Sequence, residues 1–341
     1  MTEQQWKQLL DVVEGRSLNR IPVGFIVDSP WLPAWAGGSI LDYYGSDEFW
    51  LETNLKAIRA FPEVLFLPGF WSEYGMCTEP SAFGAKCVWH ANDLPFAEKV
   101  IETPEQMAAL KKPDVRTDGL LPMMLGRLER LRPRIEAEGH AVRFAVARGP
   151  LNIASFLMGT TEFLMALSDT PDKVHAMLDT ITDFLCDWIR LQKERIPSIE
   201  GVFLLDDIAG FLGEDDFVAF AKPCLKRSFG AIDSKVRFFH NDAGGLVCAP
   251  HLADIGVNLF NFSFSHEITM MQKLVGDKVA LLGNLPPRDV LALGSPDVVR
   301  AATRAMLASV ADQRRLLASV GGGMSPGTPT ANIEAFLETV R

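Results

Sequence analysis

The sequence predicts a (β/α)8 barrel, and three observations carry that prediction. Short apolar runs alternate with longer helical patterns almost to the C-terminus. The runs are continuous rather than alternating, as strands buried on both faces of a parallel sheet are. Eight of them can be counted: residues 21–27 (IPVGFIV), 64–67 (VLFL), 142–147 (VRFAVA), 201–205 (GVFLL), 235–239 (KVRFF), 259–262 (LFNF), 279–282 (VALL) and 317–320 (LASV).

The helical stretches between them repeat apolar residues three and four apart. The clearest is PDKVHAMLDTITDFLCDWIRLQKE, with Pro171 at its start. DEFWLETNLKAIRAF, LPMMLGRLERLRPRIEAEG and SPDVVRAATRAMLASV have the same character. Strand–helix alternation of this kind builds βα units around a parallel sheet. No GxGxxG or GxxxxGK[ST] follows an early strand, which argues against an open nucleotide-binding sheet. A chain of 341 residues suits one barrel, and no linker, repeat or low-complexity tract divides it. One domain over residues 1–341 is therefore expected, with a β-rich excursion at about 69–113 over the barrel mouth.

Bulk properties exclude several function classes. A net charge of −10 and the lack of any basic stripe argue against a nucleic-acid partner. The five cysteines, Cys77, Cys87, Cys186, Cys224 and Cys248, lack tight spacing and suit a reducing compartment. The N-terminal MTEQQWKQLLDVVEG reads as an amphipathic helix rather than a secretory leader, and no apolar run reaches membrane-spanning length. A cytoplasmic protein without a membrane partner is expected.

In a barrel, residues just past each strand face the catalytic mouth. Those places are chemically rich here. They hold Asp28 and Trp31, then Trp71 and Glu73, then Arg148 to Asn152. Asp206-Asp207, His240-Asn241-Asp242, Ser263 with His266, Asn284 and a Gly321-Gly322-Gly323 loop follow. The adjacent Asp206 and Asp207 either cap the next helix or, as like charges at a mouth, shift each other's proton affinity. A lone His240 is ordinarily a hydrogen-bonded structural group, and its strand-end position is what marks it as functional. Trp31 and Trp71 suit a core or an aromatic substrate wall equally well.

The ordered segments GPLNIASFLMGTTEFLMALSDTPDKVHAMLD, LLDDIAGFLGEDDFVAFAKPCLKRSF, FFHNDAGG, LLGNLPP and GGGMSPGTPTANIEAFLETV resemble the uroporphyrinogen decarboxylase superfamily. The resemblance implies a barrel, a homodimer and one of two chemistries. One is cofactor-free decarboxylation of a porphyrinogen. The other is methyl transfer to or from a corrinoid protein, with zinc held by a His-x-Cys … Cys pattern. Against the first, no arginine follows Arg20 in RIPVGFIVDSPWLPAWAGG, and Gly322 or Gly323 stands where the decarboxylases have a histidine.

The second is preferred: methyl transfer between a small methoxylated or methylated substrate and a corrinoid on a partner protein. By resemblance His240 and Asp242 replace His-x-Cys, while the second cysteine falls near Gly323 or Met324. Residues two apart on a strand project to one side, and imidazole and carboxylate are competent zinc ligands. His266 and Glu73 are further candidate ligands. Asp206, Asp207 and His240 are the candidate catalytic groups. Asp28, Trp31, Trp71, Asn152 and Asn284 are the candidate substrate contacts. A metal-free decarboxylase or lyase is the alternative.

Overall fold

The computed structural model describes residues 1–27, 29–244 and 246–341. Ten strands form: β1 (Gly24–Ile26), β2 (Leu65–Leu67), β3 (Cys87–Val88), β4 (Phe96–Ala97), β5 (Phe144–Arg148), β6 (Gly201–Leu205), β7 (Val236–Asn241), β8 (Leu259–Phe262), β9 (Ala280–Leu285) and β10 (Leu316–Val320). Six of them pair in parallel in the order β10-β9-β8-β7-β6-β5, and β1 pairs in parallel with β2. Parallel bridges Val23–Ala318 and Ile26–Gly323 join β1 to β10. With helices between successive strands, this is the expected (β/α)8 barrel, and β1, β2 and β5 to β10 are its staves. β3 and β4 form a separate antiparallel hairpin in the excursion, whose other elements are short helices such as Thr78–Ala82 and Pro104–Ala108.

Each stave alternates between two cores, because successive side chains leave opposite faces of a strand. Leu65, Leu67, Phe144, Val146, Phe203, Leu205, Val236, Phe238, Leu259, Ala280, Leu282 and Leu317 fill the barrel interior. Phe203 and Phe238 stack there with ring centroids 4.2 Å apart. The intervening residues, such as Ala145, Leu204, Phe239 and Phe260, pack outward against the helices. The amphipathic helix Glu3–Val13 closes the bottom of the interior with Trp6, Leu9, Val12 and Val13. Its start is fixed by a capping box between Thr2 and Gln5.

Among the described residues, no ladder joins β2 to β5. Side chains take over the exposed edge of β5, since buried backbone groups need partners. Gln192, on the Pro171–Arg195 helix, accepts from the Val146 N–H at 3.0 Å and donates to its carbonyl at 3.0 Å. Glu79 accepts from the Arg148 N–H at 3.3 Å. Gln192→Leu removes a donor and an acceptor and strands both Val146 groups. A loss of about 2–4 kcal/mol is expected in urea unfolding, with the slope of the transition unchanged.

Candidate active site

The interior is apolar at the bottom and turns polar at the carboxyl ends of the strands. Continuing the two-residue period beyond Val146, Leu205, Phe238, Leu259, Leu282 and Leu317 brings Arg148, Asp207, His240, Asn261, Asn284 and Ser319 to the inner face. These residues come from six different staves, and their clustering follows from barrel closure alone.

His240, Asp207 and Asp242 are brought together, each offering one ligand atom within 4.8 Å of the others. His240 Nε2 lies 3.7 Å from Asp207 Oδ1 and 3.9 Å from Asp242 Oδ2. The His240 ring is buried and held from behind by Asn261, 2.7 Å from its Nδ1. Asn261 donates its amide hydrogens to the Leu282 and Val320 carbonyls, so its oxygen faces the imidazole. The Nδ1–H therefore donates to Asn261, which leaves Nε2 facing the two carboxylates. Burial pushes the Asp242 carboxyl above the ordinary carboxylate range; the nearby His240 opposes that rise and Asp207 adds to it. The Asp242 N–H donates to Asp207 at 3.2 Å, fixing the spacing of the pair.

Gly322 makes room for this arrangement. Its φ is +132°, a conformation that disfavours side chains, and a Cβ there would meet Asp242 Oδ2 at 2.7 Å.

Asp206 is turned the other way. It is fully buried and accepts from the Leu151 N–H at 2.9 Å and the Asn152 N–H at 3.1 Å, at the start of the Pro150–Met158 helix. Burial pushes its carboxyl up to about 8, while those amides favour the ionised form. Gly149 is required beside it, because a Cβ would sit 2.3 Å from the Asp206 carboxylate. The adjacent aspartates therefore do different work: Asp206 secures a helix and Asp207 faces the mouth.

A second polar group lies on the β2–β5 side. The Arg148 guanidinium is 3.2 Å from Glu73 Oε2 and 5.5 Å from the centre of the Trp71 ring. Glu73 Oε1 accepts from the Ser29 hydroxyl at 2.9 Å, and Ser29 is 2.7 Å from the Tyr44 hydroxyl. Burial raises the Glu73 carboxyl above its ordinary value, opposed by Arg148. Glu73 is thus engaged with Arg148 and Ser29 and is not part of the His240 group.

The remaining expected site residues are dispersed. His266 Nε2 bonds the Gly244 carbonyl at 2.7 Å, and His266 does not join the His240 group. Asn152 bridges the Leu205 carbonyl and the Ile208 N–H, tying the Pro150–Met158 helix to the end of β6. Trp31 is fully buried and donates to the Thr328 carbonyl, beneath the last loop. Trp71 belongs to the barrel interior, edge-on to Phe203. Asn284 faces the mouth, with its amide hydrogens taken by the Ser263 and His266 carbonyls. Asp28 lies outside the described residues. Three mouth groups, Arg148, Asn261 and Ser319, have no role assigned from the sequence. The signal for Asn261 was a polar residue inside the apolar run LFNF, and Arg148 was visible only as a charge closing FAVAR.

The two aspartates separate by experiment. Asp206→Ala removes a buried cap and is expected to cost about 1–3 kcal/mol in urea unfolding. Asp207→Ala removes one of two like charges and is expected to change stability by less than about 1 kcal/mol.

Comparison with known proteins agrees with this architecture. A uroporphyrinogen decarboxylase from Hahella chejuensis is 23% identical over 354 residues, covering 95% of this chain and 94% of the relative. A methylated-thiol–coenzyme M methyltransferase from Methanosarcina mazei is 23% identical over 282 residues, covering 82% and 74%. The solved structure of a methyltransferase from Methanosarcina mazei superposes with a TM-score of 0.82 at 18% identity, covering 98% of each chain. The family model for uroporphyrinogen decarboxylase matches residues 4–341, and the chain belongs to that family.

Proposed function

We propose that this chain is a methyltransferase moving a methyl group between a small methoxylated or methylated substrate and a corrinoid on a partner protein. The observation that carries the reading is the convergence of His240, Asp207 and Asp242, with His240 Nε2 directed at the two carboxylates by Asn261. A metal-ligating histidine ordinarily gives its other ring N–H to such a fixed acceptor. The donor set fits a divalent ion of the zinc type: one imidazole nitrogen and two carboxylates, which no lysine or arginine pairs with among the described residues. Without a thiolate ligand it suits an oxygen-bearing substrate better than a thiol.

Asp207, His240 and Asp242 would hold the ion. When bound, it would polarise the oxygen that loses its methyl group, easing C–O cleavage. The chain's own groups orient the substrate. Arg148 offers a cation on the opposite side of the mouth. Asn284 has spent both amide hydrogens, so its oxygen remains as an acceptor. The apolar interior beneath, with Trp71, Phe203 and Phe238, limits water at the bottom of the mouth. We also propose a cytoplasmic, homodimeric protein.

Metal analysis and a transfer assay test the reading. About one divalent ion per purified chain is expected. His240→Ala and Asp242→Ala should each lose it, and Asn261→Leu should weaken metal affinity about 10- to 100-fold while circular dichroism stays native. A methoxy donor should shift the absorbance of a reduced corrinoid protein in the presence of wild type but not of His240→Ala. Metal-free wild type sinks the metal site. Carbon dioxide release from a carboxylated substrate by metal-free enzyme supports the decarboxylase chemistry named for several relatives.

A further inference from the structure

The gap between β2 and β5 holds a small polar void that the proposed chemistry does not use. Ser72, Glu73, Thr78, Glu79 and Arg148 supply its polar lining, and it offers about 10 Å³ to the centre of a water-sized sphere. That is the lower limit for one water and too little for an organic ligand. Among the described residues, two polar atoms at the void have no protein partner: Ser72 Oγ and Glu79 Oε2. Their residues are 1% and 2% exposed. Buried polar atoms without partners cost roughly 1–3 kcal/mol each, so a pair of them lining one void calls for a shared occupant.

We infer that this void is a built site for a single water molecule, held between the Ser72 hydroxyl and a protonated Glu79 carboxyl. Glu79 Oε1 is already committed to the Arg148 N–H, so Oε2 is the oxygen that carries the proton and donates it to the water. The charged groups facing Glu79 are Arg148 and Glu73. Arg148 is paired with Glu73, which leaves Glu79 as the second acid beside one cation. Trp71, Gly75, Met124, Val146 and Ala147 close the remaining walls without charge. Burial pushes the Glu79 carboxyl up to about 7 from its ordinary 4.5, with Arg148 opposing the rise.

The consequence for pH has a definite sign. The folded state holds the Glu79 proton more tightly than the unfolded chain does, so this contribution to stability is full below pH 4.5 and is lost as pH rises through about 7.

A crystal structure of wild type at a resolution that defines ordered water, with Ser72→Ala and Glu79→Gln beside it, tests the site. The expected result is one water within hydrogen-bonding distance of Ser72 Oγ and Glu79 Oε2, absent or displaced in Ser72→Ala. Infrared difference spectra of wild type minus Glu79→Gln should show a protonated-carboxyl C=O band at pH 6, over any band that Asp206 contributes to both. Glu79→Gln should make the fall in Tm that wild type shows between pH 5 and pH 8 smaller, with the raised Asp206 carboxyl accounting for much of what remains. An empty void, a metal cation in place of water, or a direct Ser72–Glu79 bond overturns the inference. So does an unchanged infrared band in Glu79→Gln. These readouts involve neither metal nor corrinoid, so they stand or fall independently of the methyl-transfer reading.

Discussion

The two-residue period of the buried staves decides nearly everything at this mouth. A strand can offer only every second side chain to the interior, and the neighbours must face the helices. Phe238 and His240 therefore share the inner face of β7, while Phe239 and Asn241 belong to the outer one. The same rule divides the adjacent aspartates after β6. Asp207 follows Leu205 inward, and Asp206 follows Leu204 outward to the Pro150–Met158 helix. A slip of one residue in β6 would exchange these two carboxylates and dismantle both the helix cap and the His240 group. Register, held by the Leu205–His240 and His240–Asn261 pairings, is thus the constraint on which the site's chemistry rests.

Charge is distributed across the mouth in two unlike halves. The β6–β7 half carries two carboxylates beside an imidazole, an arrangement that a divalent cation would relieve. The β2–β5 half carries a guanidinium already opposed by Glu73. A bound molecule spanning the two halves meets a field directed from Arg148 toward Asp207 and Asp242.

Much of the barrel was legible from apolar runs, and the bounds of β6 and β8 match those runs residue for residue. β7 and β9 continue past them, taking in His240-Asn241 and Gly283 to Leu285. The reason is that a ladder is made by backbone groups: Asn241 pairs with Phe262 and Asn284 with Ser319 whatever their side chains. Polarity ended the run in the sequence but not the strand in space. β1 and β2 are shorter than their runs, and β2 has a ladder partner on one side alone. The hairpin excursion has two strands of two residues each, because Gly75, Pro80 and Pro95 punctuate it and short helices take the rest.

The candidate site was legible where strand-end position sufficed and opaque where a partner decided the role. His240, Asp207 and Asp242 lie at strand exits, and closure of the barrel gathers them. Glu73 also lies at a strand exit, yet Arg148, 75 residues away in sequence, claims its carboxylate. Composition carries no trace of such a pairing, because an ion pair depends on which side chain arrives within reach. Asn261 illustrates the converse. An amide in the middle of a buried strand must find several partners or cost stability, so it can persist there only as part of a network. It meets that demand with the Leu282 and Val320 carbonyls and the His240 N–H. In doing so it ties β7, β8, β9 and β10 together and fixes the imidazole at once. The stability of the polar layer and the direction of His240 Nε2 are therefore one constraint, and chemistry at the mouth is set by the same hydrogen bonds that close the upper barrel.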